Sequence, residues 1–229
     1  MRQLCRHLKK INSKIASGKG VSPMEITMKL YGHPDSGHAF KVKFFLDWVG
    51  VDHEYECIDI FSDRSTRSAD FLGTSKFSEV PTLIDNGQSY IQSNAILAYL
   101  SKRFGLLNET NNKKCFEWLI WEANKIGMCL PQLRAHEKFS NKHPQFRLSQ
   151  GAYDWLYGRY KNDVNVLDRE LMDKPYILGE QISIADFSLC AYLMYANEAQ
   201  VKVPTNVESW LGRIREQKGW QNPYEMLRG

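Results

Sequence analysis

The stretch Glu79–Leu100, EVPTLIDNGQSYIQSNAILAYL, decides how the chain folds. It opens on a Val80-Pro81 step and runs through a short β-prone segment ending at Asp85. It turns at Asn86-Gly87, continues as a second short strand, and passes Gln92-Ser93 into a helix of apolar periodicity. Asn-Gly between two β-prone runs is a strong two-residue hairpin signal. The residue beside a strand-edge proline leaves its own N–H and C=O exposed, because the ring donates nothing. A hydroxyl at a helix N-terminus sits among unpaired N–H groups that favour a carboxylate. Together these devices fit a ligand with a peptide backbone and an acidic end.

Upstream, Glu25–Gly32 (EITMKLYG) reads as a strand followed by the loop His33-Pro34-Asp35-Ser36. Phe40, Phe44, Phe45, Trp48 and Val49 then recur at helical spacing up to Gly50. His53–Ile60 alternates as a strand, and Ser65–Leu72 reads as a short helix. The order β-α-β, then β-β-α, is the thioredoxin-like arrangement. Beyond Gly105 the texture becomes helical throughout: 114–139 (kinked at Pro131), 145–172, 184–196 and 207–217 carry the apolar spacing. Ser183-Ile-Ala-Asp186, preceded by Ile182, predicts a capping box that starts a buried helix. The expected class is α+β: a basic extension at 1–23, a thioredoxin-like domain at 24–104, a linker at 105–112 and an all-helical domain at 113–229.

Composition narrows the function classes. At 229 residues, 43% hydrophobic and 24% charged, the chain has room for two ordinary globular domains. Its longest apolar run, Phe187–Ala196, is far below the roughly 20 residues of a membrane span. Cys5, Cys57, Cys115, Cys129 and Cys190 show neither a C-x-x-C pair nor a metal-ligand spacing, which predicts no metal site and fits a reducing compartment. The net charge of +4 comes from the leader: Arg2, Arg6, Lys9, Lys10, Lys14 and Lys19, with no acid before Met24. Without those six, 24 Lys and Arg face 26 Asp and Glu, so the body is at −2 and nucleic acid is not an expected partner. Leu4, Leu8, Ile11 and Ile15 give the leader a helical stripe that reads as an upstream extension, an organellar transit segment or a surface helix.

MKLYGHPDS (Met28–Ser36), the Val-Pro step, Gln92-Ser93 and the capping box follow one another as in the cytosolic glutathione S-transferase superfamily, which the chain resembles from Glu25 to about Trp220. The likeness is to the serine-type bacterial, phi and theta groups. It implies a cytoplasmic homodimer that holds glutathione as co-substrate in its first domain and receives a small, largely apolar electrophile between the domains. Ser36 is implied as the residue that steadies the glutathione thiolate, with Tyr31 as the alternative used by other classes. On residues alone, Ser36 also reads as a helix N-cap and Tyr31 as a packed strand residue. The main chain of Val80, with a cis Pro81, is implied for the cysteinyl part, and Gln92 and Ser93 for the γ-glutamyl end. Arg67 falls where a basic residue meets the glycyl carboxylate, or is a solvated charge. Glu79 departs from the Gln or Lys common at that position and sets an anion beside an anionic peptide. Peroxidase, isomerase or dehalogenase chemistry with the same thiolate, and a non-catalytic binding module, are the alternative functions.

Overall fold

The structure is a computed structural model that describes residues 28–106 and 109–228, and of 109–112 the backbone only. The leader and residues 24–27 lie outside the described residues. Four strands form one mixed sheet in the order β2-β1-β3-β4: β1 (Met28–Gly32), β2 (His53–Cys57), β3 (Thr82–Asp85) and β4 (Gln88–Ile91). β1 pairs parallel with β2 through α1 (Gly37–Val49), while β3 runs antiparallel to β1 and to β4. The β3–β4 turn is Asn86-Gly87, both at positive φ (50° and 75°), the geometry that an Asn-Gly pair selects. After β4 comes α3 (Ser93–Arg103), and between β2 and β3 lies α2 (Ala69–Thr74).

Strand alternation separates two cores. Met28 and Leu30 join the main core with Phe40, Phe44 and Phe45 of α1 and Ile96, Leu97 and Leu100 of α3. Tyr31 falls in a second cluster with Ile58 and Phe71, the latter on α2. α1 stops at Gly50, whose N–H bonds Leu46 O in the left-handed conformation (φ 82°) that glycine allows.

The second half is helical, as expected, with different breaks. α4 (Glu109–Asn124) begins inside the stretch read as linker, and 114–139 is two helices, α4 and α5 (Ile126–Phe139). The break lies at Lys125, not at Pro131, which sits within α5. At Lys125 the backbone leaves helical geometry (φ −122°, ψ −97°), and the Glu122 side chain packs beside Gly127, where a Cβ would stand 2.6 Å from Glu122 Oε1. The segment 145–172 contains a 3₁₀ turn (Pro144–Phe146) and then α6 (Gln150–Glu170), whose N-cap is Ser149. Likewise Ser65–Leu72 divides into a 3₁₀ turn (Arg64–Thr66) and α2, capped by Ser68. α7 (Ile184–Leu193), α8 (Thr205–Arg215) and α9 (Pro223–Met226) complete the chain, the last without a sequence expectation.

Every residue of α7 is buried, and it packs on α1, α3, α4 and α5. Its Phe187 ring is surrounded by Phe44, Phe45 and Trp48 at centroid distances of 4.8, 5.3 and 5.4 Å. The capping box is present. Asp186 does more than cap: its carboxylate accepts from Ser183 N (2.8 Å), Ser183 Oγ (2.8 Å), Ile177 N (2.9 Å) and Trp210 Nε1 (3.0 Å).

Candidate functional site

Strand direction gathers the sequence motifs at one edge of the sheet. Tyr31 pairs with Thr82, so the loop after β1 faces the residues just before β3, namely Val80 and Pro81. Thr82 also pairs with Ile91, which brings Gln92 and Ser93 to the same edge. The Val80–Pro81 peptide bond is cis. Among the described residues neither Val80 N–H nor its C=O has a hydrogen-bond partner, so both remain available to an extended ligand.

A cleft of about 110 Å³ lies here, lined by His38, Glu79, Val80, Pro81, Gln92 and Ser93 together with Ser75, Phe77 and Ile91. Five of the residues predicted for ligand binding therefore meet in one cavity. Gln92 holds a positive φ (66°), a conformation that costs a non-glycine residue about 1–3 kcal/mol and tends to be kept where function needs it. It stands at the N-cap of α3 but makes no capping bond, leaving its amide exposed beside the open first turn of the helix. Ser93 Oγ lies 3.4 Å from His38 Nδ1. Burial, then the charge of Lys41, lowers the His38 pKa to about 4, so at neutral pH this is a neutral ring beside the serine.

Glu79 points its carboxylate to Arg64 (3.1 Å). Its main chain is held by Ser75 Oγ, which lies 3.1 Å from Glu79 N and 3.0 Å from Glu79 O, and by Thr82 Oγ1 at 3.0 Å. Arg67 does not line the cleft. Its guanidinium donates to Ser78 O and, at 3.5 Å, to Ile60 O, so it ties together the two loops flanking α2. Tyr31 is 3% exposed and packs edge-on against Phe71 (5.3 Å), on the sheet face opposite α1.

Ser36 caps α1: its Oγ accepts the Ala39 N–H at 3.1 Å. Accepting that bond uses a lone pair and leaves the hydroxyl proton free to donate. The N-cap reading of Ser36 is thus observed and leaves its hydroxyl proton uncommitted at the positive end of a helix, but the residue is buried (6% exposed) and is not among those lining the cleft. Four of the five cysteines fall among the described residues. Burial pushes the thiols of Cys115 (to about 12), Cys57, Cys129 and Cys190 upward, so none is poised as a thiolate.

The site also contains residues the sequence reading did not single out. Arg134 on α5 donates to Asp35 O and Asp35 Oδ1 (both 2.7 Å), to Glu198 Oε2 (2.7 Å) and to the Tyr224 hydroxyl (2.8 Å), and lies 4.0 Å over the Tyr195 ring. Tyr195 donates to Pro34 O (3.0 Å), and Lys138 bridges Asp35 (2.9 Å) and Glu198 (3.0 Å). The helical domain thus grips the loop that carries Ser36. Burial alone would raise the Asp35 and Glu198 carboxyls; bonds to Lys138, Tyr224 and Arg134 outweigh it and hold both below the ordinary carboxylate range. Phe61 adds an aromatic bridge, stacking on His143 (4.7 Å) and meeting Phe139 (5.0 Å) and His33 (5.5 Å) edge-on. The sequence signal for Arg134 was its place on the buried stripe Ile126, Cys129, Leu130, Leu133, Arg134: a charge on an apolar face requires a partner.

The architecture and this edge define a thioredoxin-like ligand-binding domain with an appended helical domain. Residues 26–102 match the model of the glutathione S-transferase N-terminal domain, and residues 145–227 that of the C-terminal domain. The chain belongs to the glutathione S-transferase family. It is 26% identical over 196 residues to the disulfide-bond oxidoreductase YfcG of Escherichia coli, covering 79% of this chain and 86% of that one. Among solved structures, a glutathione S-transferase from Pseudomonas fluorescens superposes with a TM-score of 0.76 at 24% identity, over 86% of this chain and 98% of its own. A glutathione transferase from Burkholderia graminis, solved with two glutathione molecules bound per subunit, superposes at 0.75 and 21% identity, over 97% and 95%. No group of three or more metal-ligating side chains occurs among the described residues, and none of their helices is long and apolar enough to cross a membrane.

Proposed function

We propose that the protein is a glutathione transferase that adds the glutathione thiolate to an electrophilic carbon of small, largely apolar compounds. The observation that carries this reading is the open main chain of Val80 beside cis Pro81 in one cleft with Gln92 and Ser93; Ser36, buried at the N-cap of α1 after β1, is assigned as the thiolate donor because its cap bond leaves the hydroxyl proton uncommitted. A neutral thiol is a weak nucleophile near pH 7, and lowering its pKa by about two units takes about 2.7 kcal/mol. A hydrogen bond to a charged group contributes about 1.5–3 kcal/mol and a helix N-terminus about 0.3–1 kcal/mol, which together suffice. The thiol proton leaves to solvent, the sulfur forms the new C–S bond, and the leaving group departs with its electron pair.

In this reading Val80 pairs with the cysteinyl main chain in front of cis Pro81. Ser93, Gln92 and the first N–H groups of α3 take the γ-glutamyl end. Arg67 keeps the glycyl carboxylate only by its family position and would have to release Ser78 O and Ile60 O to reach it, and Arg64 neutralises Glu79, which would otherwise repel the peptide. In this reading the domains divide at about 24–104 and, since α4 begins at Glu109, about 109–229, with a cytoplasmic location. A homodimer fits the exposed apolar side chains of Phe77, Phe116 and Ile120.

A second reading rests on the relative named a disulfide-bond oxidoreductase. There one glutathione thiolate attacks a disulfide, giving a mixed disulfide and a released thiolate. A second glutathione then frees the other half and leaves as oxidised glutathione. Retention on immobilised glutathione followed by parallel assays with a chloronitroarene and hydroxyethyl disulfide separates the readings; retention without either turnover identifies a binding module. Ser36→Ala is expected to lower kcat/KM at least about tenfold, about 1.4 kcal/mol. Should Tyr31→Phe produce that loss while Ser36→Ala is silent, the assignment of Ser36 is wrong.

A further inference from the structure

At the far end of α1 from Ser36, about 20 Å along the helix at 1.5 Å per residue, lies a second and larger cavity of about 620 Å³. Phe45, Trp48 and Val49 of α1 form one wall, Ile182, Ile184 and Phe187 another. It shares no lining residue with the cleft at Val80 and Ser93. Its size is that of a pocket for a compact organic molecule.

One polar group in this wall is unexplained. Ser101 of α3 is fully buried, lines the cavity, and its Oγ has no hydrogen-bond partner among the described residues. A buried hydroxyl without a partner costs about 1–3 kcal/mol, and a fold retains one where something else satisfies it. A serine hydroxyl both donates and accepts, so it meets a ligand hydroxyl equally well in either sense. The mouth carries Glu180 and Glu216 against a single Lys218, which disfavours an anion.

We propose that this cavity is a second binding site, for an uncharged aromatic alcohol whose ring lies in the cavity against the walls that carry Trp48 and Ile182 and whose hydroxyl bonds Ser101 Oγ. The ligand class differs from the anionic tripeptide proposed for the sheet edge, and the site stands whether or not that proposal holds.

Calorimetric titration of the full chain with 2-naphthol, and with naphthalene as the analogue lacking the hydroxyl, tests it. One-to-one binding of 2-naphthol is expected, unchanged by saturating S-hexylglutathione. Ser101→Ala should weaken 2-naphthol about three- to tenfold, the range of one neutral hydrogen bond, and leave naphthalene unaffected. Gln181→Trp, at an exposed position of the lining loop, should weaken both by crowding the mouth. No binding of 2-naphthol, its displacement by S-hexylglutathione, an equal effect of Ser101→Ala on both ligands, or indifference to Gln181→Trp would each overturn the proposal.

Discussion

Removing the negative partner of the buried Lys41 should destabilise the fold by more than removing the pair. Lys41 on α1 and Glu122 on α4 have side chains 0% and 2% exposed, with Nζ 3.0 Å from Oε2. The three ammonium protons match Glu122, Asn94 Oδ1 (3.1 Å) and Ser188 Oγ (3.1 Å), while Asn94 Nδ2 donates to the same carboxylate at 2.9 Å. Glu122→Gln keeps the volume but leaves a buried ammonium with neutral partners only. Breaking a buried pair from one side costs about 3–5 kcal/mol, whereas replacing both partners by apolar groups is often neutral or stabilising. For a chain of this length 1 kcal/mol moves Tm by about 2–4 °C, so Glu122→Gln should lower it by roughly 6–20 °C. Lys41→Met combined with Glu122→Leu should recover most of that loss. Urea unfolding followed by tryptophan fluorescence, supported by thermal melts, gives both numbers. A single variant costing under about 1 kcal/mol, or a double variant no better than the worse single, would refute the account of this hub as a paired charge.

The remaining predictions concern the loop, its pH response and the α7 cap. Arg134→Lys should lower kcat/KM for whichever glutathione reaction is found, because an ammonium cannot reach Asp35 O, Asp35 Oδ1 and Glu198 together as the guanidinium fork does; a wild-type rate would show that the clamp does not position Ser36. The folded-state carboxyls of Asp35, Glu198 and Glu122 are held below their ordinary values, so their contribution is complete above the unfolded carboxylate range, about pH 4–4.5, and is lost as pH falls through the folded values. Chemical denaturation from pH 7 to 3 should show that acid-side decline, and a stability rising with acidity would contradict it. Ser183→Ala should cost about 1 kcal/mol as an ordinary cap. Asp186→Ala, which strands the Ile177 N–H and the Trp210 indole N–H in the core, should cost about 3 kcal/mol or more by equilibrium unfolding.

What the sequence made legible was local chemistry with a single structural solution. Asn86-Gly87 admits few conformations other than the positive-φ hairpin turn observed, and Ser183 with Asp186 started α7 where expected. One missed helix boundary lies beside a non-local contact. Nothing in 114–139 announces a break at Lys125 ahead of the proline at 131; the break adjoins Glu122, whose partner is a lysine 81 positions earlier, a contact that local spacing does not report. Apolar periodicity reports which face is buried and is silent on where a helix must yield.

The same distinction governs the site. The cleft residues Val80, Pro81, Gln92 and Ser93 were readable because strand pairing converts neighbours along two short segments into neighbours in space. The clamp on Asp35 was not, since its members Arg134, Lys138, Glu198 and Tyr224 come from three separate stretches of the helical domain. Each nevertheless left a trace. Lys41 and Arg134 stand on otherwise apolar helix faces, and a charge cannot be buried there without an opposite one. Lys41 pairs across the two domains beneath the start of α3, through Asn94, and Arg134 pairs across them behind the Ser36 loop, through Asp35. Both segments that a glutathione site would require are therefore anchored from the helical domain by buried charge, so the sheet domain taken alone would keep the cleft's residues but lose the groups that hold them in register.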